Sequence, residues 1–390
     1  MARRATIGIP FNYDESWIGG SYYIQNLVAS FNLLPPGEQP DVCILTHSEQ
    51  SFDFILAGSK YSRLTWTPPT RLRDIDGGIF PKIRWASRLI PQFLKRVPSF
   101  DVVFPFPIDT SLKQTVCWIP DLQDKRLPHF FDAAELEYRE RQHRYYFDNF
   151  RHIVFSSEAA RSDFHHFYPE AASQTHVVRF AVFPPPRPTL GTDEVLAKYG
   201  LPSRFFYCPN QFWIHKNHAT VIEAVGLLAD RNLRVDMVFS GKEHDHRAPH
   251  HAQELRRQAE RRGVADRIHF LGFLPRDEQM ILFEAAVAIV QPSLFEGWST
   301  VIEDAKALSQ YVIASNLPVN LEQISDNAEF FDPANPGQLA DMLSKYASAD
   351  PVRTRVDYRV SQERFARDFM EVVNTVRAES AAPSKEGSVR

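Results

Sequence analysis

At 390 residues, 44% hydrophobic and 24% charged, the chain has globular composition and exceeds one ordinary core, which predicts two domains. A net charge of −4 argues against nucleic acid as the main partner. Cys43, Cys117 and Cys208 stand apart in apolar runs without a C-x-x-C, as buried thiols of a reducing compartment do. No apolar run reaches the roughly 18 residues of a membrane span, and the first ten residues hold no signal-peptide core, so the expected compartment is the cytoplasm.

In chain order, residues 6–9 predict a first strand, followed by a polar loop and then Gly19-Gly20 ahead of a helix with Tyr23, Leu27 and Phe31 on one face. A glycine pair before a helix lets another molecule approach the backbone closely. Residues 42–45 predict a second strand. Residues 71–96 then carry Arg71, Arg73, Lys82, Arg84, Arg88, Lys95 and Arg96 among Ile79, Phe80, Trp85, Leu89 and Phe93. A basic, aromatic, amphipathic stretch suits either an anionic membrane surface or a helix packed on its own domain. Asp74-Ile75-Asp76 precedes Gly77-Gly78 and reads as turn chemistry. Residues 101–104 and 115–119 predict further strands, the second running into Pro120-Asp121. An acid at the carboxyl end of a parallel strand points into the crevice where open α/β sheets bind ligands, which singles out Asp121. His129 follows in the same loop beside Phe130 and Phe131.

Residues 177–182 lead into F-P-P-P-R-P, with four prolines within five residues, a stiff connector and the domain boundary. Strand and helix then alternate afresh: a strand at 204–208, the loop P-N-Q-F-W-I-H-K-N-H, a helix at 219–229, and strands leading into Gly241 and Gly272. Such βα units predict a parallel doubly wound sheet in each half. Lys216 sits on a loop between strand and helix, which opens on the crevice and offers a fixed cation to an anion there. His244, His246, His250 and His251 lack an H-E-x-x-H or a Cys partner, so no metal site is predicted, and no G-x-x-x-x-G-K-[ST] marks an NTP hydrolase.

The densest signal is residues 287–308, V-A-I-V-Q-P-S-L-F-E-G-W-S-T-V-I-E-D-A-K-A-L. Residues 287–290 predict a buried strand that Gln291-Pro292-Ser293 stops. Gly297 allows a tight backbone, and Ser299 or Thr300 caps a helix with Val301, Ile302, Ala305 and Leu308 at helical spacing and Asp304 in its first turn. Strand, turn and helix N-terminus offer N–H groups to an anion such as a diphosphate. Glu296 and Glu303 bracket the turn, with hydrogen-bond-accepting carboxylates for the hydroxyl-rich ends of a nucleotide sugar.

This stretch resembles the donor-site signature of retaining GT-B glycosyltransferases, family 4 or group 1. The resemblance implies an α/β fold of two Rossmann-like doubly wound domains facing a central cleft. Residues 1–183 would form the acceptor domain, 184–193 a linker, 194–360 the nucleotide-sugar domain, 361–379 a helix crossing back and 380–390 a disordered tail. It assigns Glu296 to the transferred sugar and Glu303 to the ribose. The diphosphate falls to Lys216 and to the backbone of Gly297, Trp298, Ser299 and Thr300, with Asn210 and Gln211 on the lysine's loop. Gly19 and Gly20 match a glycine-rich loop that touches donor phosphate or acceptor, Phe273 lies where the nucleobase is held, and Asp121 with His129 falls at the acceptor and reacting centre. Three departures stand out. Pro120 replaces the histidine that usually precedes Asp121, and Gln211 replaces an arginine five residues before Lys216, removing one positive charge. Six residues, not the usual seven, separate Glu296 from Glu303.

The implied activity is retaining transfer of a hexose (mannose or a deoxyhexose) from a nucleoside-diphosphate sugar to a glycan or lipid-linked hydroxyl. The leaving phosphate oxygen would take the acceptor proton, with no cofactor or metal. The setting it implies is bacterial surface-polysaccharide synthesis at the inner face of the plasma membrane, where the membrane alternative for 71–96 would apply. A GT-B epimerase or phosphorylase, or a non-catalytic nucleotide-sugar binding protein, are the alternatives.

Overall fold

The structure, a computed structural model, describes residues 3–14, 18–68, 100–107, 114–185, 190–245 and 247–381. The basic stretch 71–96 with Asp74 and Asp76, His246, part of the proline-rich connector and the tail from 382 lie outside the described residues. The chain divides into two units. One comprises Met1–Pro120, Tyr138–Ala181 and Arg359–Arg390; the other comprises Asp121–Glu137 and Val182–Tyr358.

In the first unit the strands are β1 (Thr6–Pro10), β2 (Asp41–Leu45), β3 (Leu64–Thr67), β4 (Val102–Val103), β5 (Val116–Ile119), β6 (His152–Phe155) and β7 (Gln174–Val177). They run in the orders β3-β2-β1-β4 and β5-β6-β7, and every pairing is parallel. A parallel bridge between Val103 and Thr115 joins the two groups. The helix Arg359–Ala381 ends the described chain yet belongs to this unit, because Phe365, Phe369, Val372, Val373 and Val376 form a buried stripe at helical spacing. Phe369 packs on Phe31 and Phe104, while Tyr23 stacks on Trp118 with ring centres 4.0 Å apart.

The second unit carries β8 (Phe206–Cys208), β9 (Met237–Phe239), β10 (Ile268–Phe270), β11 (Ile289–Gln291), β12 (Val312–Ser315) and β13 (Ala328–Phe331), all parallel, in the order β10-β9-β8-β11-β12-β13. Residues alternate between two cores. Phe206, Cys208, Met237, Phe239, Val290 and Ile313 pack on one face, and Tyr207, Val238, Ile289 and Val312 on the other. Burial on both faces is why these strands read as unbroken apolar runs. The strand order reverses between β8 and β11, and the crevice beyond the carboxyl ends at such a reversal is where open α/β sheets bind ligands.

Three local expectations change. The strand expected at 287–290 continues to Gln291, whose register partner is Ala314; the ladder stops only at Pro292, which has no N–H. The helix after it begins at Thr300, so Glu303 rather than Asp304 stands in its first turn. Gly19 and Gly20 lie inside the first turn of the helix Ile18–Ser30, not ahead of it. Among the described residues no helix is long and apolar enough to cross a membrane, and all three cysteines are buried and free.

Candidate functional site

Two segments of the second unit leave the sheet at the reversal. One follows β8 and carries Asn210 to Lys216; the other follows β11 and carries Gln291 to Glu296. Asn210 Nδ2 donates to Gln291 Oε1 at 2.9 Å and so ties the two together. Gln291 Nε2 in turn donates to Glu296 Oε1 at 2.7 Å, Ser293 Oγ donates to the same oxygen at 2.6 Å, and Lys216 Nζ at 2.7 Å. One carboxylate oxygen thus collects three donors, while Glu296 Oε2 has no partner among the described residues. The Lys216 and Glu296 side chains are only 15% and 7% exposed, so the pair is held in one geometry at low solvent access.

Local chemistry places the lysine. Residues Ile214–Lys216 form one 3₁₀ turn, closed by Asn217 in the left-handed region at φ 56°, which asparagine tolerates. Asn217 Nδ2 donates to the carbonyls of Pro292 and Pro333 at 3.1 Å each, and the Leu294 N–H donates to the His215 carbonyl at 2.7 Å. His215 is buried, and burial, followed by Lys216 and Arg247, holds its imidazole well below the usual range. Gly241 sits at φ 153°, where a Cβ would come within 2.2 Å of the Asn210 carbonyl oxygen, so only glycine lets the segments after β8 and β9 meet. Its N–H reaches the Gly272 carbonyl at 2.8 Å, and beside it Lys242 Nζ stands 5.5 Å from the ring centre of Phe273, which is 59% exposed.

The helix Thr300–Ala307 is capped as expected, with Ser299 Oγ accepting from the Ile302 N–H at 3.3 Å. Gln323 changes what the cap offers. Its Oε1 accepts the Ser299 N–H at 3.0 Å and its Nε2 donates to the Ser299 carbonyl at 2.7 Å. The Ser299 amide is therefore engaged, and the Thr300 and Val301 amides remain without a partner among the described residues. Trp298 is buried, with Lys306 Nζ 5.9 Å from its ring centre. Glu303 is 1% exposed; its Oε1 receives Lys306 Nζ at 2.7 Å and Gln323 Nε2 at 3.0 Å, and its Oε2 receives the Tyr358 hydroxyl. A ribose contact at Glu303 would be left the second lone pair of Oε2, on a carboxylate that is almost fully buried. Asp304, at the seven-residue spacing from Glu296, is also buried and paired with Arg276, and burial raises its carboxyl despite that arginine.

The remaining candidates are distributed as follows. Asp121 falls in the second unit, where its Oδ1 accepts the Gln123 N–H at 3.0 Å; His129 is exposed, 4.3 Å from the Phe130 ring. The Gln211 side chain is half-buried. Gly19 and Gly20 belong to the first unit, and a Cβ on Gly19 would meet nothing within 4 Å. Gln291, Ser293, Gln323, Tyr358 and Arg247 were not assigned to the site by sequence. For Gln291 a signal existed: a polar side chain closes an otherwise apolar run at the end of a central strand.

Residues 194–362, less than half of the chain, match the family model described as Glycosyl transferases group 1. The chain is 30% identical over 167 residues to D-inositol 3-phosphate glycosyltransferase of Corynebacterium glutamicum (strain R), a match covering 41% of this chain and 37% of that protein. It is similar in structure to Anabaena HepE, solved in complex with UDP and glucose (TM-score 0.60, 14% identity, 97% of this chain and 98% of that one). It is also similar to WaaG, a glycosyltransferase involved in lipopolysaccharide biosynthesis (TM-score 0.58, 14% identity, 97% and 100%). At this identity the likeness is one of fold, the GT-B architecture of two Rossmann-like units.

Proposed function

We propose that the protein is a retaining glycosyltransferase of family 4 that moves a hexose from a nucleoside-diphosphate sugar to a hydroxyl of a glycan or lipid-linked acceptor. The observation that carries this reading is the Lys216–Glu296 pair across the strand-order reversal, with one carboxylate oxygen fixed by three donors and the other open. Glu296 Oε2 accepts from a hydroxyl of the transferred sugar, and the Lys216 ammonium offsets charge on the diphosphate together with the free Thr300 and Val301 amides. Phe273 offers a ring face to the base. In the reaction the bond from the anomeric carbon to the phosphate oxygen breaks and that carbon bonds to the acceptor oxygen. The acceptor's proton passes to the departing phosphate oxygen, and Asp121 helps orient the acceptor.

Anabaena HepE with UDP and glucose, and WaaG in lipopolysaccharide biosynthesis, support a hexose donor and a glycan acceptor for this chain as well. A cytoplasmic enzyme at the inner face of the membrane fits such an acceptor. Lys216 supplies the charge that a divalent ion supplies elsewhere, so activity should withstand EDTA; loss that Mg²⁺ restores would overturn this part.

The test is a thermal-shift panel of UDP, GDP, ADP and dTDP with their sugars, followed by product analysis, on the wild type and Glu296→Gln. Stabilisation by one nucleotide in both proteins, with transfer lost only in the variant, is the expected outcome. Equal loss of binding and transfer would remove Glu296 from the sugar. A changed free nucleotide sugar formed without acceptor would mean an epimerase.

A further inference from the structure

Gln211 leaves the lysine loop one cation short, and the structure holds an arginine beside that loop which the sequence does not single out. Arg247 lies beyond β9, and its side chain is 16% exposed. Asp245, itself buried, accepts both the Arg247 backbone N–H at 3.0 Å and its Nε at 3.2 Å through the same oxygen, which fixes the root and the elbow of the side chain. The guanidinium carbon stands 5.3 Å from the ring centre of Phe131 and 5.6 Å from that of Trp213. A cation this close to two aromatic rings is attracted by both and keeps its terminal N–H groups as donors. The two terminal nitrogens have no partner among the described residues.

The position relative to Lys216 follows from the loop. Trp213 opens the turn that Lys216 closes, the Lys216 N–H reaching the Trp213 carbonyl at 2.9 Å, and the Trp213 ring lies 5.5 Å from that of His215. After burial, Lys216 and Arg247 are the two largest influences lowering the His215 imidazole, as expected for two cations near it. A guanidinium that is mostly shielded from water, near two rings and held at Nε, with its terminal nitrogens unpartnered among the described residues, suits an oxyanion that accepts two hydrogen bonds.

We propose that Arg247 is the second cation of the diphosphate site, taking the part of the arginine that Gln211 does not provide. The assignment rests on the donor reading given above and deepens it: Lys216 acts as a point charge, and Arg247 adds a directional fork. Phe131 and Trp213 are its positioning residues.

The experiment measures Kd by calorimetry for UDP, UMP, GDP and GMP on the wild type, Arg247→Met and Arg247→Lys. Methionine keeps the apolar stem against Phe131 and Trp213 and removes the charge. Loss of a charge-assisted bond predicts about 10- to 100-fold weaker binding of the preferred diphosphate, with the matching monophosphate changed much less, and partial recovery in Arg247→Lys. Diphosphate affinity unchanged in Arg247→Met, or equal losses for diphosphate and monophosphate, would overturn the assignment while leaving the donor reading in place. Should the methionine variant unfold, Arg247→Lys decides, since it must still favour diphosphate less than the wild type does. A wild type that binds none of UDP, GDP, ADP and dTDP would remove the donor reading itself, and this assignment with it.

Discussion

Glu296 has one oxygen held by Lys216, Gln291 and Ser293 and one oxygen open, and each holder has a separable effect. Gln291→Leu removes one donor from Glu296 and leaves Asn210 Nδ2 with only the weak Cys208 sulfur acceptor at 3.5 Å. A buried polar group that loses its main partner costs about 1–3 kcal/mol, so the unfolding free energy measured in urea should fall by that amount. Transfer should fall about tenfold as Glu296 loosens, and wild-type kinetics in this variant would show that Lys216 and Ser293 suffice. A second residue-scale effect is acid sensitivity. Burial, then His251 and Lys216, lowers the imidazole of His218 to about 3. The unfolded chain takes up this proton near the ordinary histidine value while the folded chain does not. Stability is therefore complete at neutral pH and is lost as pH falls from about 6.5 towards 3, by up to about 1.4 kcal/mol per pH unit. His218→Phe keeps the stacking on Phe212, whose ring lies 4.7 Å away, and should flatten the decline between pH 7 and pH 5. An unchanged slope in urea titrations at the two pH values would assign the sensitivity to other groups, His215 first.

At the scale of elements, the helix Thr300–Ala307 has eight residues, too few to persist without help from its surroundings. Help comes from the Ser299 cap and from Gln323, which bonds the amide and carbonyl of Ser299 and the carboxylate of Glu303. Ser299→Ala should lower stability by about 1 kcal/mol. Gln323→Leu should lower it by more, about 2 kcal/mol or above, because several buried groups lose partners together. The reverse ranking in chemical unfolding would show that the cap alone holds the helix start. The cap was legible in sequence from a serine ahead of an apolar period. Gln323 was not, since it reaches Ser299 across 24 residues of chain and no local period marks it.

At the scale of the molecule, the longer of the two passages through the second unit begins at Val182 and ends at Tyr358. These two residues meet: the Val182 N–H donates to the Tyr358 hydroxyl at 2.9 Å, and that hydroxyl donates onward to Glu303. The chain then returns to complete the first unit's core with Arg359–Ala381. A chain ending at Tyr358 should lose cooperative melting of the first unit, because Phe31 and Phe104 lose Phe369; removing one such ring typically costs about 3–5 kcal/mol. Limited proteolysis should then cut within 3–181 while 190–358 stays resistant, and equal resistance of both would mean the helix is dispensable.

What the sequence by itself determined is what repeats locally or depends on residue type: alternating βα units, the apolar runs of doubly covered strands, the serine cap, and the placing of Lys216 and Glu296 on loops that follow strands. These follow from side-chain period and from the chemistry of turns, which act over a few residues. The tertiary structure decided partnership. It turned Glu303 inward onto Tyr358, engaged the Ser299 amide with Gln323, grouped residues 121–137 with the second unit, and set Arg247 beside Trp213. The physical reason is that hydrogen bonds and stacking between segments tens of residues apart depend on strand order and loop path, which leave no period in the sequence.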